Sequence, residues 1–332
     1  MTKKVDMIVD LQYGSTGKGL IAGYIALKTQ HDVIVNANMP NAGHTFIDAK
    51  GQKMIHKVLP NGIVSPRCKY VLIGPGSVFD VSRLYNEIQQ AKQFGYMKDA
   101  KVFVHENAVP VLDRHREEES TLESIGSTKQ GSMAASIDKM KRNPDNSVIA
   151  RDLVSNFDQE RYGLSVISGS GYNEIIKNAH SILAEGAQGF SLGINEKFYP
   201  YCTSRDCSPA RFMSDMAIPL PYLRTVLGTA RTYPIRVGGT SGGCYGDQTE
   251  TRWEDLGLAQ ERTTVTNKVR RVFTFSKQQI DDAMYMFAPD EVFLNFCNYI
   301  EDSDQMRDII GHFEGKVKYL GFGPSVGDID ET

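Results

Sequence analysis

The sequence predicts an α/β fold, with a mainly parallel central sheet and helices on both of its faces. Three observations carry this. Short runs rich in Val and Ile have the length and composition of buried strands. Segments with apolar residues at helical spacing fall between those runs, and such alternation builds a parallel sheet whose crossovers are helices. No period of roughly 20–50 residues, low-complexity tract or linker divides the chain, so residues 1–332 are expected to form one domain.

Taken in order, residues 5–9 (Val-Asp-Met-Ile-Val) read as the first strand, and residues 17–29 follow as a helix. Residues 33–35, 70–73 and 101–104 are further Val- and Ile-bearing strands, with a helix over 81–94 supported by its apolar spacing. Residues 181–184, 291–296 and 317–320 complete the strands, and 277–287 and 303–312 the helices. Residues 238–246 are dense in glycine over a short stretch and read as a mobile loop.

Bulk properties exclude several function classes. Net charge is -3, so no global basic field recruits a nucleic-acid polymer, and phosphate recognition must be local. The five cysteines form no CxxC pair, and Cys202 and Cys207 have no matching His or Cys nearby; reduced thiols in a cytosol are expected. No apolar run is long enough to span a membrane, and the opening residues are too short and interrupted for a signal segment. A soluble, cytoplasmic protein is expected.

Ligands of open α/β sheets sit beyond the carboxyl ends of the strands, and there the unusual residues fall. Asp10-Leu-Gln-Tyr-Gly14-Ser15-Thr16-Gly17-Lys18-Gly19 leaves the first strand and enters a helix. Glycines admit an anion close to the backbone, the helix start offers free N–H groups, and Lys18 adds charge. This is not a Walker A loop: Gln12 stands where the first glycine belongs and Gly19 where Ser or Thr follows the lysine. The plain alternative is a tight turn with a solvated lysine. After the next strand comes Asn41-Ala-Gly43-His44-Thr45, whose histidine suits proton donation, or is simply a loop histidine.

Together these two segments resemble the adenylosuccinate synthetase family. The resemblance continues, in family order and over most of the chain, through Ile125-Gly-Ser-Thr128, Glu185-Gly-Ala-Gln188-Gly189, Tyr199-Pro-Tyr-Cys-Thr203-Ser204 and Thr264-Val-Thr266-Asn267-Lys268-Val-Arg270-Arg271. It implies an adenylosuccinate-synthetase-like fold, a homodimer, Mg²⁺, and a ligase that phosphorylates a purine C6 oxygen and then displaces phosphate with the aspartate amine. Ser15, Lys18 and His44 occupy the implied catalytic positions, His44 as general acid toward the C6 oxygen. The implied triphosphate site comprises Gly14, Ser15, Thr16, Gly17, Lys18, Gly19, Gly43, His44 and Thr45, with Asn298, Gly323 and Pro324 beside the base. The monophosphate site comprises Ser15, Asn41, Ser127, Thr128, Gln188 and Thr203, with Arg151 reaching in from a partner subunit. Thr264, Val265, Thr266, Asn267, Lys268 and Arg270 are implied to bind L-aspartate, and Ser15 and Gly43 the metal.

Two departures refine this. The family has a catalytic aspartate where this chain has Ser15; a neutral, smaller side chain leaves room near N1 and C2 of the purine. The resemblance is closest to a phage subgroup with serine there, the 2-aminoadenylosuccinate synthetases, which implies dGMP as substrate, a 2-aminoadenine nucleotide pathway and a host cytoplasm. The second departure is Leu294-Asn295-Phe296-Cys297-Asn298, where GTP-using members carry Thr-Lys-x-Asp to read guanine. An amide both donates and accepts, so Asn298 does not demand guanine, and ATP or dATP is expected as donor. The rival readings are an ordinary synthetase using inosine monophosphate and GTP, and a catalytically silent nucleotide-binding protein.

Overall fold

The computed structural model describes residues 2–120, 128–157, 163–239, 241–263 and 267–332. Ten strands form one sheet: β1 (Val5–Asp10), β2 (Val33–Asn36), β3 (Tyr70–Ile73), β4 (Lys101–His105), β5 (Leu164–Ile167), β6 (Ile182–Glu185), β7 (Leu223–Arg231), β8 (Glu291–Asn295), β9 (Val317–Gly321) and β10 (Ile329–Glu331). Their order is β10-β9-β8-β7-β1-β6-β2-β3-β4-β5, and every pairing is parallel except that of β9 with β10.

Alternation along each strand assigns side chains to the two faces. Val5, Met7 and Val9 of β1 join Val33 and Val35 in one apolar cluster, beneath the helices Gly169–Asn178, Pro209–Asp215 and Lys277–Phe287. Ile8 and Ile34 point the other way, into a cluster with the helices Lys18–Thr29 and Val81–Gln93. Both faces are therefore covered, as the sequence predicts.

The predicted strands and helices form with end shifts of one or two residues. Three strands of the sheet had no prediction: β5, β7 and the three-residue β10. β5 is a short edge strand. β7 runs nine residues beside β1 at the centre of the sheet, but Leu-Arg-Thr-Val-Leu-Gly-Thr-Ala-Arg carries charge at its ends and glycine inside, which masks a strand signature. Gly228 is needed there, since a Cβ would lie 2.7 Å from the Leu11 side chain.

One consequence positions the site. The neighbouring strands β8, β7, β1, β6 and β2 end, at the same edge, on Asn295, Arg231, Asp10, Glu185 and Asn36, and all five side chains are buried. Each grips the backbone of a loop: Asn295 that of Thr16 and Phe296, Arg231 that of Ser15, Asp10 that of Gln12 and Gly14, Glu185 that of Gly62, and Asn36 that of Val58.

Candidate active site

The turn after β1 is wound tightly by Gly14 (φ 93°), Ser15 (φ 58°) and Gly17 (φ 96°). Gly17 caps the first helix, and a Cβ there would lie 2.2 Å from Asn295 Nδ2. At Gly19 a Cβ would meet Asn61 Nδ2 at 2.5 Å and the Thr45 carbonyl at 2.7 Å, so the Ser or Thr of a Walker loop has no room. Thr16 is buried, its hydroxyl shared between Asp10 and Thr229. Lys18 is buried too, with its ammonium donating to Asp10 Oδ2 (2.9 Å) and the Gln188 carbonyl (2.7 Å).

His44 opens the hairpin His44–Ile47/Lys53–His56 and is buried. Its Nδ1 stands 4.0 Å from Glu185 Oε2, too far for a hydrogen bond and close enough for charge to be felt, and neither atom has another partner. Burial drives the His44 pKa down; Glu185 opposes this and Lys18 adds to it. His56, its cross-strand neighbour, is pushed to about 4, chiefly by burial and next by His44, with the Pro60 carbonyl and Asn61 amide resisting.

A cleft of about 430 Å³ joins these parts. Gly14, Ser15, Lys18, Asn41, Gly43 and His44 line one side. Thr128, Gln188, Thr203 and Arg270 line it elsewhere. Thr203 Oγ1, His44 Nδ1 and Ser132 Oγ are buried polar atoms of cleft-lining residues with no hydrogen-bond partner within the protein. Thr16, Gly17, Gly19 and Thr45 stand behind this surface as the turn's scaffold.

Other expected positions lie apart from the lining. Asn298 and Pro324 are exposed and Gly323 half-buried, beyond the ends of β8 and β9, next to the same turn through Asn295. Arg151 is exposed and its backbone N–H binds the Glu106 carbonyl. Ser127, Thr264, Val265 and Thr266 lie outside the described residues. Asn267 (φ 54°) and Lys268 are exposed, the Lys268 N–H bound to Thr263 Oγ1 at 3.1 Å.

Arg270 donates to Ser15 Oγ at 2.6 Å. Burial pushes its pKa down to about 10, Glu261 opposing and Arg231 assisting. Beneath it, fully buried Arg231 makes a two-pronged ion pair with Glu261, reaches the Ser15 carbonyl at 3.3 Å and lies 3.8 Å over the Phe296 ring.

Sequence reasoning missed several wall residues. Arg236 is buried between the rings of Tyr13 and Phe198, 4.8 Å from each, and binds the Tyr201 carbonyl. It lies on the two-residue strand Ile235–Arg236, too short to leave a pattern in the sequence. Glu119 receives the N–H groups of Gly131 and Met133, capping the helix Ser132–Lys141 at the cleft. No local pattern marks that cap. Among the described residues no three His, Cys, Asp or Glu side chains group to hold a metal; Ser15 and Gly43 offer a hydroxyl and a carbonyl beside Lys18. Among the described residues, too, no helix is long and apolar enough to cross a membrane.

The chain and its fold have known relatives. The adenylosuccinate synthetase family model matches residues 7–163 and 154–313. The chain is 54% identical over 341 residues to the N6-succino-2-amino-2'-deoxyadenylate synthase of Vibrio phage phiVC8, covering 99% of this chain and 98% of that one. It is 40% identical to the enzyme of that name from Cyanophage S-2L, over 99% and 93% of the two chains. Among solved structures, the Cyanophage S-2L succinoaminodeoxyadenylate synthetase bound to dGMP and dATP as an energy donor superposes with a TM-score of 0.92 at 39% identity, over 100% of this chain and 96% of that one. The fully ligated adenylosuccinate synthetase of Plasmodium falciparum, at 18% identity and a TM-score of 0.78, shares the fold.

Proposed function

The chain belongs to the adenylosuccinate synthetase family, and from that premise we propose that it joins L-aspartate to C6 of dGMP at the expense of ATP or dATP. The products are 2-amino-2'-deoxyadenylosuccinate, the nucleoside diphosphate and phosphate. The observation that carries the substrate is Ser15: a neutral side chain, held by Arg270, faces the cleft beside Lys18 and His44 where the family places an aspartate. Two phage relatives carry the name N6-succino-2-amino-2'-deoxyadenylate synthase, and one solved relative is bound to dGMP and to dATP as an energy donor, which supports this reading.

The chemistry follows from these placements. As the purine N1–H gives up its proton to water, the dGMP C6 oxygen attacks the terminal phosphorus of the triphosphate and the diphosphate leaves. The aspartate amine then attacks C6, and phosphate leaves. Such a transfer needs positioning and charge neutralisation more than covalent help. Lys18 presents a fixed cation to the terminal phosphoryl group. Burial lowers the His44 pKa, and Glu185 together with the charge of an incoming triphosphate opposes that, so the ring is placed to deliver a proton to the oxygen that leaves with phosphate. Thr203, Thr128, Gln188, Asn41 and Ser127 hold the monophosphate, with Arg151 of a partner subunit in a homodimer. Arg270 and Lys268, with Thr264, Val265, Thr266 and Asn267, take the two aspartate carboxylates. Phe296 and Asn298, with Gly323 and Pro324, receive the donor base. The Ser15 hydroxyl and Gly43 carbonyl are hard oxygen donors that would hold Mg²⁺, which would supply charge neutralisation for the triphosphate. The setting is the host cytoplasm.

The test is direct: incubate the protein with Mg²⁺, ATP or GTP, aspartate, and either dGMP or inosine monophosphate. Aspartate-dependent phosphate release with dGMP is expected. Release with inosine monophosphate alone identifies an ordinary synthetase, and no release identifies a silent binder.

A further inference from the structure

We infer that Asp10 is a positioning residue for phosphoryl transfer: it holds the Lys18 ammonium so that one N–H remains for the triphosphate. The inference rests on the proposed reaction, in which Lys18 meets the terminal phosphoryl group. Asp10 has no place among the expected site residues and does not line the cleft, yet it binds four residues of the turn. One carboxylate oxygen accepts the N–H groups of Gln12 (2.9 Å) and Gly14 (3.1 Å). The other accepts from the Thr16 hydroxyl and from Lys18 Nζ at 2.9 Å.

An ammonium has three N–H donors. Asp10 takes one and the Gln188 carbonyl, at 2.7 Å, a second. These two anchors stand on the segments that follow β6 and end β1, so the sheet itself sets the direction of the third donor. Lys18 lines the cleft, which is where that donor can act. Ser15 and Thr16 are neutral, so Asp10 is the carboxylate in contact with Lys18, balancing a cation that is only 5% exposed.

The geometry also excludes another role. Asp10 is 2% exposed and both its oxygens are engaged by donors of the turn. Its other side is closed by Gly189, where a Cβ would lie 2.4 Å from Asp10 Oδ1. It therefore acts through Lys18 and does not reach the purine.

The test is Asp10→Asn in the full-length protein. The amide keeps an acceptor for Gln12 and Gly14 but turns N–H toward Lys18 and Thr16, releasing the ammonium. With saturating dGMP, aspartate and ATP, kcat is expected to fall on the order of 100-fold, the scale of losing one aimed donor. Affinity for a fluorescent ATP analogue, measured without dGMP or aspartate, is expected to stay within about threefold of native, because the cation is still present. In the Lys18→Met background, Asp10→Asn is expected to cost no further kcat, the mark of action through the lysine. Asp10→Ser replaces the Asn variant if that one does not fold. An Asp10 variant of near-native kcat overturns the inference. So does equal loss of kcat and binding, additivity with Lys18→Met, or failure of both variants to fold. If the native protein itself releases no phosphate with dGMP, the proposed reaction fails instead, and the binding measurement still reports on the pair.

Discussion

The buried histidine pair makes acid stability a sharp test of the geometry around the cleft. His56 and His44 face each other across the hairpin, both buried. In the folded protein the His56 pKa lies near 4, against 6.5 for a free side chain, because burial and the neighbouring His44 disfavour its charge. The unfolded chain accepts the proton near pH 6.5 and the folded one refuses it until about pH 4, so stability is intact above pH 6.5 and falls as pH drops toward 4. At about 1.4 kcal/mol per pH unit, the displacement from 6.5 to about 4 is worth about 3 kcal/mol. That is a large share of the ~5–15 kcal/mol that usually holds a fold. His44, displaced in the same direction, adds to the slope. The assay is urea unfolding between pH 7.5 and 4.5 for the native protein and His56→Leu. Leucine removes the titrating group, and whatever it forfeits against the Pro60 carbonyl and the Asn61 amide lowers the whole curve without changing its slope. From pH 7.5 to 4.5 the native unfolding free energy should fall by about 2.5 kcal/mol more than that of the variant, the share of the displacement that this pH range covers. Parallel curves would refute the claim that His56 is held neutral.

Further outcomes follow from individual contacts. Gly17→Ala places a methyl group on Asn295 in a left-handed conformation and should cost about 3 kcal/mol, read as a lower urea midpoint; an unchanged midpoint contradicts the close approach. His44→Ala should abolish turnover while dGMP and ATP still bind by calorimetry, and retained turnover removes its acid role. Ser15→Asp should lower kcat/KM for dGMP, because a carboxylate in the space beside Arg270 pairs with that arginine and crowds the 2-amino group; a rise in dGMP turnover contradicts the space argument.

What was legible in the sequence depended on whether the signal is local. A strand ending in a glycine-rich turn announces itself within ten residues, and Lys18, His44, Gln188 and Thr203 do converge on one cleft. β7 did not announce itself, because Thr229 and Arg231 serve partners on β1 and in the turn rather than an apolar face. Arg236 sits on a strand of two residues, which no periodicity reveals. Asp10 was visible as a residue but not as an anchor, since its contacts are set by the turn's fold and not by spacing. Glu119 caps a helix that begins thirteen residues later, across residues 121–127, which no local rule detects.

The five polar side chains at the sheet's edge clamp loop backbone. A clamp of this sort is indifferent to what the loop's outward side chains are, so the frame tolerates exchange of those side chains without being rebuilt. Substrate preference in this architecture is thus free to drift by single replacements at positions such as 15 or 298, while Asn36, Glu185, Asp10, Arg231 and Asn295 stay in place. An engineer seeking a new base pairing or a new amino donor has a rigid chassis to work from, and those five residues are the bolts to leave untouched.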